Sequence, residues 1–126
     1  MKTIMQSSSA PAPIGPYSQA VRFGAFLFVS GQIGIEPVSG EVVVGGVEAE
    51  ARQVMNNIGA LLATAGMDYT HIVKTTIFLR DMADFAKVNA VYGACFSGNY
   101  PARETVAVAG LPKNVNVEIS VIAAKD

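Results

Sequence analysis

Val115-Asn116-Val117-Glu118-Ile119-Ser120-Val121-Ile122-Ala123 places Val115, Val117, Ile119, Val121 and Ala123 on one face of an extended chain, with Asn116, Glu118 and Ser120 on the other. Alternation of this kind marks a strand with one face against a core. Glu118 therefore points away from that core. Just upstream, Gly110-Leu111-Pro112-Lys113-Asn114 reads as a turn and Arg103 to Ala109 as a strand, which together predict a β-hairpin. Arg103 and Glu118 would then sit on adjacent strands. Pro101 in Tyr100-Pro101-Ala102-Arg103-Glu104-Thr105 stiffens the approach, so Arg103 starts its strand from a constrained lead-in.

Further outward, Ile72 to Leu79 sets Val73, Thr75, Ile77 and Leu79 against Lys74 and Thr76, a second one-sided strand. Val47, Ala51, Val54, Ile58, Leu61, Leu62 and Ala65 recur at helical spacing, with Glu48 and Glu50 in the first turn and Gly66 as the stop. These predict a helix over 47–65. Asp81 or Asp84 can cap a second helix whose stripe is Phe85, Val88, Tyr92, Cys95 and Phe96, ended by Ser97-Gly98-Asn99. Towards the N-terminus, Lys2 to Gln6, Tyr17 to Arg22 and Phe26 to Ser30 read as strands, the last running into a glycine-bearing loop, Gly31 to Pro37. Ser7 to Pro16 is dense in turn formers and reads as a loop. The order strand, strand, strand, helix, strand, helix, strand, strand implies an α+β fold, a mixed sheet with both helices on one face. Residues 1–126 are expected to form one domain.

Composition narrows the classes of function. A hydrophobic content of 51% and 15% charged residues exceed what a small monomer hides easily, so part of the apolar surface is expected to meet other copies. A formal net charge of −1, with lysines and arginines scattered singly, argues against nucleic acid. The single cysteine, Cys95, rules out an internal disulfide, and Met1 to Gln6 lacks a signal-peptide pattern, so a cytoplasmic home is expected. No apolar run approaches the roughly 20 residues of a membrane-spanning helix.

Among candidate functional groups, Arg103 offers a planar fork of donors that fits a small carboxylate, with Glu104 as the alternative, structural partner. Glu118 is either a solvated strand residue or an acid or base acting on water. Tyr17 leaves a turn and either packs or orients a ligand. Ser30-Gly31 lacks the flanking glycines of a nucleophile elbow, and His71 alone supports neither a triad nor, with Cys95, a zinc site. Cys95 lies on an apolar stripe and reads as core. Gly45-Gly46 fits no phosphate-binding pattern, so no metal and no nucleotide cofactor are expected.

Taken together, Ile14 to Ala20, Val29-Ser30-Gly31-Gln32-Ile33, Asp81 through Asn89-Ala90-Val91-Tyr92, Pro101-Ala102-Arg103, and Leu111-Pro112-Lys113 with Val117-Glu118-Ile119 resemble the RidA/YjgF family from end to end. The resemblance implies a chorismate-mutase-like α+β fold assembled as a homotrimer, with ligand clefts between neighbouring subunits. It implies cofactor-free hydrolysis of reactive enamines and imines, such as 2-aminoacrylate, 2-iminopropanoate and 2-iminobutanoate, to 2-oxo acids and ammonia. By position, Arg103 matches the residue that clamps the substrate carboxylate, Gly31 a backbone donor, and Glu118 the acid that places water. Tyr17, Ser30 and Asn89 match cleft-lining positions. Thr105 stands where many relatives carry cysteine, a position implied to act through its backbone, and the stretch before Tyr100 is shorter than in some members. Two other readings stand beside this one: a non-catalytic trimer that binds small carboxylates or regulates a partner, and RNA cleavage or translation inhibition, against which the missing basic stripe argues.

Overall fold

The computed structural model describes residues 1–126. Six strands form one mixed sheet: β1 Thr3–Met5, β2 Ala20–Phe23, β3 Phe26–Gln32, β4 Ile72–Leu79, β5 Ala102–Ala107 and β6 Val117–Ala124. Two helices, α1 Gly46–Thr64 and α2 Phe85–Gly93, cover one face. The α+β class and the order of elements are those expected from the patterning. No helix is long and apolar enough to cross a membrane.

The strand order is β1-β2-β3-β6-β4-β5, and this overturns the predicted hairpin. β6 inserts antiparallel between β3 and β4, while β5 runs parallel to β4 at the sheet's edge. The cause is burial. Val117, Ile119, Val121 and Ala123 are at most 2% exposed, a load of apolar surface that only a central strand can cover. β5, preceded by Pro101 and mostly exposed, suits an edge. A strand–helix–strand unit, β4-α2-β5, is moreover the ordinary way to join parallel strands.

Element limits also differ. β2 begins at Ala20 rather than Tyr17, because the Tyr17 N–H is taken by the Gly15 carbonyl at 2.8 Å in a tight turn. β3 continues through Gly31 to Gln32, so Gly31 lies within a strand, beside a register shift against β6, and not in the following loop. α1 ends as expected: Gly66 takes φ +69°, and the Gly66 and Met67 N–H groups close on the Ala63 and Leu62 carbonyls. Asp81 caps a 3-10 turn, Met82–Asp84, that leads into α2, and Asp84 makes no capping bond. α2 stops at Gly93, so Cys95 and Phe96 pack on the core from beyond the helix.

The core lies between sheet and helices, around Leu27, Val54, Ile58, Leu61, Ile77, Leu79, Val88 and Ile119. A smaller cluster of Ile33, Ile35 and Val115 sits under the loops at one end. Asn57, fully buried on α1, ties that end down. Its Nδ2 donates to the Ile33 and Ile35 carbonyls at 3.3 and 3.0 Å, and its Oδ1 accepts from Gln53 at 2.8 Å. The opposite face of the sheet is bare. Ile4, Phe23, Phe26, Phe28 and Val106 are each more than 40% exposed there, the kind of apolar surface that small proteins seldom leave to water.

Asn57→Ala leaves two buried carbonyls without donors and is expected to cost about 2–4 kcal/mol. Urea denaturation at fixed protein concentration measures it, and a loss below about 0.5 kcal/mol would mean that water replaces the amide.

Candidate functional site

The pairing that places β6 in the middle of the sheet also separates the two groups expected to act together. Arg103 pairs with Thr75 and Thr105 with Ile77, both fully buried on the helix-covered face. Glu118 pairs with Phe78 between the fully buried Val117 and Ile119, so its side chain leaves by the bare face. Arg103 and Glu118 are thus on opposite faces with β4 between their strands, not on neighbouring strands of a hairpin.

At the β5 edge, Arg103 is held by α2. Its Nη1 donates to Asn89 Oδ1 at 2.7 Å, and its guanidinium carbon lies 5.3 Å from the Tyr92 ring centre and 5.6 Å from that of Phe85. Stacking on two rings while one amide takes one donor leaves most of the fork free. Neither ion pair of the chain includes Arg103; Glu104, its sequence neighbour, pairs instead with Lys74 at 2.9 Å. The cation therefore faces a cleft of about 340 Å³, lined by Asn89, Tyr92, Gly93, Tyr100, Pro101 and Arg103, with no carboxylate of its own chain. Tyr92 is itself fixed, donating through its hydroxyl to Thr75 Oγ1 at 2.9 Å, and burial raises its phenol's pKa. Sequence patterning assigned Tyr92 and Phe85 to the core stripe, and their role under Arg103 escaped it.

The second cleft, also about 340 Å³, opens on the bare face and gathers Tyr17, Ser30, Gly31 and Glu118 with Ile14, Ile33 and Pro112. Glu118 lies against the bare backbone of Gly31, where any side chain would collide with its carboxylate. Burial among apolar neighbours raises the Glu118 carboxyl above its ordinary range. Ser30 is committed to structure, its hydroxyl donating to the Ser18 carbonyl at 2.6 Å. Tyr17 lines the opening and is 49% exposed. Gln19, buried behind it, holds the loop: its Nε2 donates to the Ser7, Ala10 and Pro11 carbonyls and its Oε1 accepts from the Ser7 N–H. The role of Gln19 is not legible in the sequence, because its place in a strand expected over Tyr17 to Arg22 gives no sign that its side chain turns back to the Ser7–Pro11 loop.

Of the expected site residues, Tyr17, Ser30, Gly31 and Glu118 share one cleft, and Asn89 and Arg103 share the other. Thr105 lines neither. Its Oγ1 is buried without a hydrogen-bond partner.

The family described as endoribonuclease L-PSP matches residues 7–125. A RutC family protein of Pyrococcus horikoshii is 48% identical over the full length of both chains. Proteins named 2-iminobutanoate/2-iminopropanoate deaminase are 48% identical in Rattus norvegicus, over 99% of this chain and 91% of that one, and 46% identical in Homo sapiens, over 98% and 90%. Among solved structures, RidA from an Antarctic Psychrobacter superposes with a TM-score of 0.95 at 42% identity, over 98% of this chain and 99% of that one. TdcF of E. coli, solved with bound serine, gives 0.94 at 40% identity over the same shares.

Two outcomes follow from this geometry. Thr105→Val removes an unpaired buried hydroxyl and is expected to stabilise the fold by about 1 kcal/mol in a denaturant titration; a loss would reveal a partner for the hydroxyl. A carboxyl raised by burial binds its proton more tightly folded than unfolded, so stability tied to the protonated form is present at low pH and lost as pH rises through the folded pKa. Glu118→Gln, which resembles that form, should be more stable than the parent at neutral pH. The advantage should shrink as pH falls into the ordinary carboxylate range, and a difference independent of pH would contradict it.

Proposed function

The chain belongs to the endoribonuclease L-PSP family, the RidA/YjgF proteins, and we propose that it hydrolyses small α-imino acids to 2-oxo acids and ammonia in clefts shared by neighbouring copies of itself. The observation that carries this reading is Arg103: a guanidinium stacked and oriented at a cleft, with no acidic side chain of its own chain to neutralise it. Such a group suits a small carboxylate. The deaminase names of relatives at 46–48% identity over nearly the whole chain identify the class of carboxylate.

Two supports favour a site shared between copies. Arg103 and Glu118 leave the sheet by opposite faces, so one chain cannot close both around a molecule of a few atoms. The bare face beside Glu118 exposes Ile4, Phe23, Phe26 and Phe28, an apolar surface suited to a second copy. A homotrimer, as the family resemblance implies, presents the Arg103 edge of one copy to the Glu118 cleft of the next. The small partner is the imino acid; the net charge of −1 gives no footprint for RNA.

The chemistry then needs only placement and proton transfer. Arg103 holds the carboxylate of R–C(=NH₂⁺)–COO⁻, and the Gly31 backbone assists it. Glu118 takes a proton from water as the oxygen bonds to the imine carbon. It returns that proton to nitrogen; the C–N bond then breaks as the hydroxyl gives its own proton to Glu118, so the carbonyl forms and ammonia leaves, carrying that proton away as ammonium. A carboxyl raised by burial suits both halves of that exchange, because it releases and recovers a proton closer to neutrality. Tyr17 covers the cleft, and Asn89 keeps the guanidinium flat against its rings. Thr105, whose side chain points into the fold, acts through its backbone beside Arg103.

A dehydratase that releases the imine from threonine or serine, with keto acid formation followed, tests the reading. Arg103→Ala and Glu118→Gln are each expected to lose on the order of 100-fold in kcat/KM while staying folded and assembled. Unfolding and reassembling the two variants together should restore activity at about a quarter of the sites, since a random mixture joins an intact Arg103 to an intact Glu118 that often. Full activity of Arg103→Ala would reject the clamp. Mixtures no better than their parents would reject the shared cleft, and ligand binding without turnover would favour the carboxylate-binding reading.

A further inference from the structure

Glu50 is an anomaly on α1. It is 5% exposed, it points into the protein, and neither ion pair of the chain includes it. A buried carboxylate without a cation is costly unless donors replace water, and here both donors come from one residue. Oε1 accepts from the Asn116 backbone N–H at 2.9 Å and Oε2 from Asn116 Nδ2 at 2.6 Å. The Asn116 carbonyl accepts in turn from the Arg80 N–H at 3.0 Å, just past the end of β4.

Asn116 is the last residue before β6, and Glu118 is the second residue of that strand. Alternation in a strand ties the direction of Glu118 to the placement of Asn116, so a shift there turns or slides the carboxylate against Gly31. The opposite wall of the same cleft is tied to the same helix. Asn57, two turns along α1, binds the Ile33 and Ile35 carbonyls, and Ile33, Ile35 and Val115 pack together between the two anchors. Gly34 lets this wall touch the helix, since a methyl there would stand 2.9 Å from the Glu50 Cα. Paired buried charges and amides of this kind contribute little net stability over well-packed apolar groups; what they supply is a unique arrangement.

We infer that Glu50 is a positioning residue for Glu118: its two-point grip on Asn116 sets where β6 begins and thereby holds the Glu118 carboxylate against Gly31 in the geometry that hydrolysis needs. The inference rests on the role proposed for Glu118. Arg103, on the other face and another strand, is outside its reach.

The test is a double-mutant cycle in the imine hydrolysis assay, with kcat and KM separated. Glu50→Ala is expected to lower kcat by about 10- to 100-fold, the scale of a small misplacement of a reacting group, with KM changed less than about twofold. In a Glu118→Gln background the same substitution should cost less than about threefold, because the group it positions is already gone. Glu50→Gln should recover most of kcat, since its amide can accept from the Asn116 N–H and donate to a turned-over Asn116 side chain. Should Glu50→Ala fail to fold, Asn116→Ala breaks one of the two bonds and should give a smaller loss confined to kcat. An undiminished kcat in Glu50→Ala, or an equal factor lost with and without Glu118, overturns the inference. A fully active Glu118→Gln removes the proposed role of Glu118 and this coupling together, whereas a slow Glu118→Gln with additive losses overturns the coupling alone.

Discussion

A carboxylate can stand on the bare face of a central strand only if the neighbouring strand gives it room, and here that room is the missing side chain of Gly31. The contact exists because β6 lies between β3 and β4, and β6 lies there because its other face carries four residues that must be almost completely buried. Hydrophobic burial on one side of the strand thus decides the address of an acid on the other. The walls of the cleft on that other face, among them Ile14, Gly31 and Ile33, half-bury the carboxylate and raise its pKa.

α1 contributes a second layer of control with three different means. Its apolar stripe seals the core, Asn57 satisfies two loop carbonyls, and Glu50 grips the residue at the start of β6. Gln19 does similar work for the Ser7–Pro11 loop with four bonds from one amide. These polar groups convert flexible cleft walls into fixed ones. The Arg103 edge relies on other forces, two aromatic faces and one amide from α2. Each half is therefore held by its own set of contacts, and within one chain the two stay on opposite faces of the sheet.

Much of the fold is legible in the sequence. The α1 period, the β4 limits and the one-sided alternation of β6 follow from side-chain sequence alone, because each reports a local question: which neighbours share a face. Glu50 and Asn57 also left a signal, since both fall on the buried stripe of α1 with Val54 and Leu61 between and beyond them. A polar residue on such a stripe must have a buried partner. What misled was proximity in the chain. Two strands separated by a glycine- and proline-bearing turn look like a hairpin, whereas the helix between β4 and β5 is the stronger cue and favours parallel pairing of those two.

Periodicity determined the α+β class and the side of β6 from which Glu118 leaves, because it is a property of neighbouring positions, while residue type and the motif around Pro101 singled out Arg103. Which strands pair, that Arg103 emerges on the face opposite Glu118, and that it rests on Tyr92 rather than on Glu104 were decided by tertiary structure. Those outcomes come from competition among distant segments for the same buried area, a quantity that no window of sequence contains.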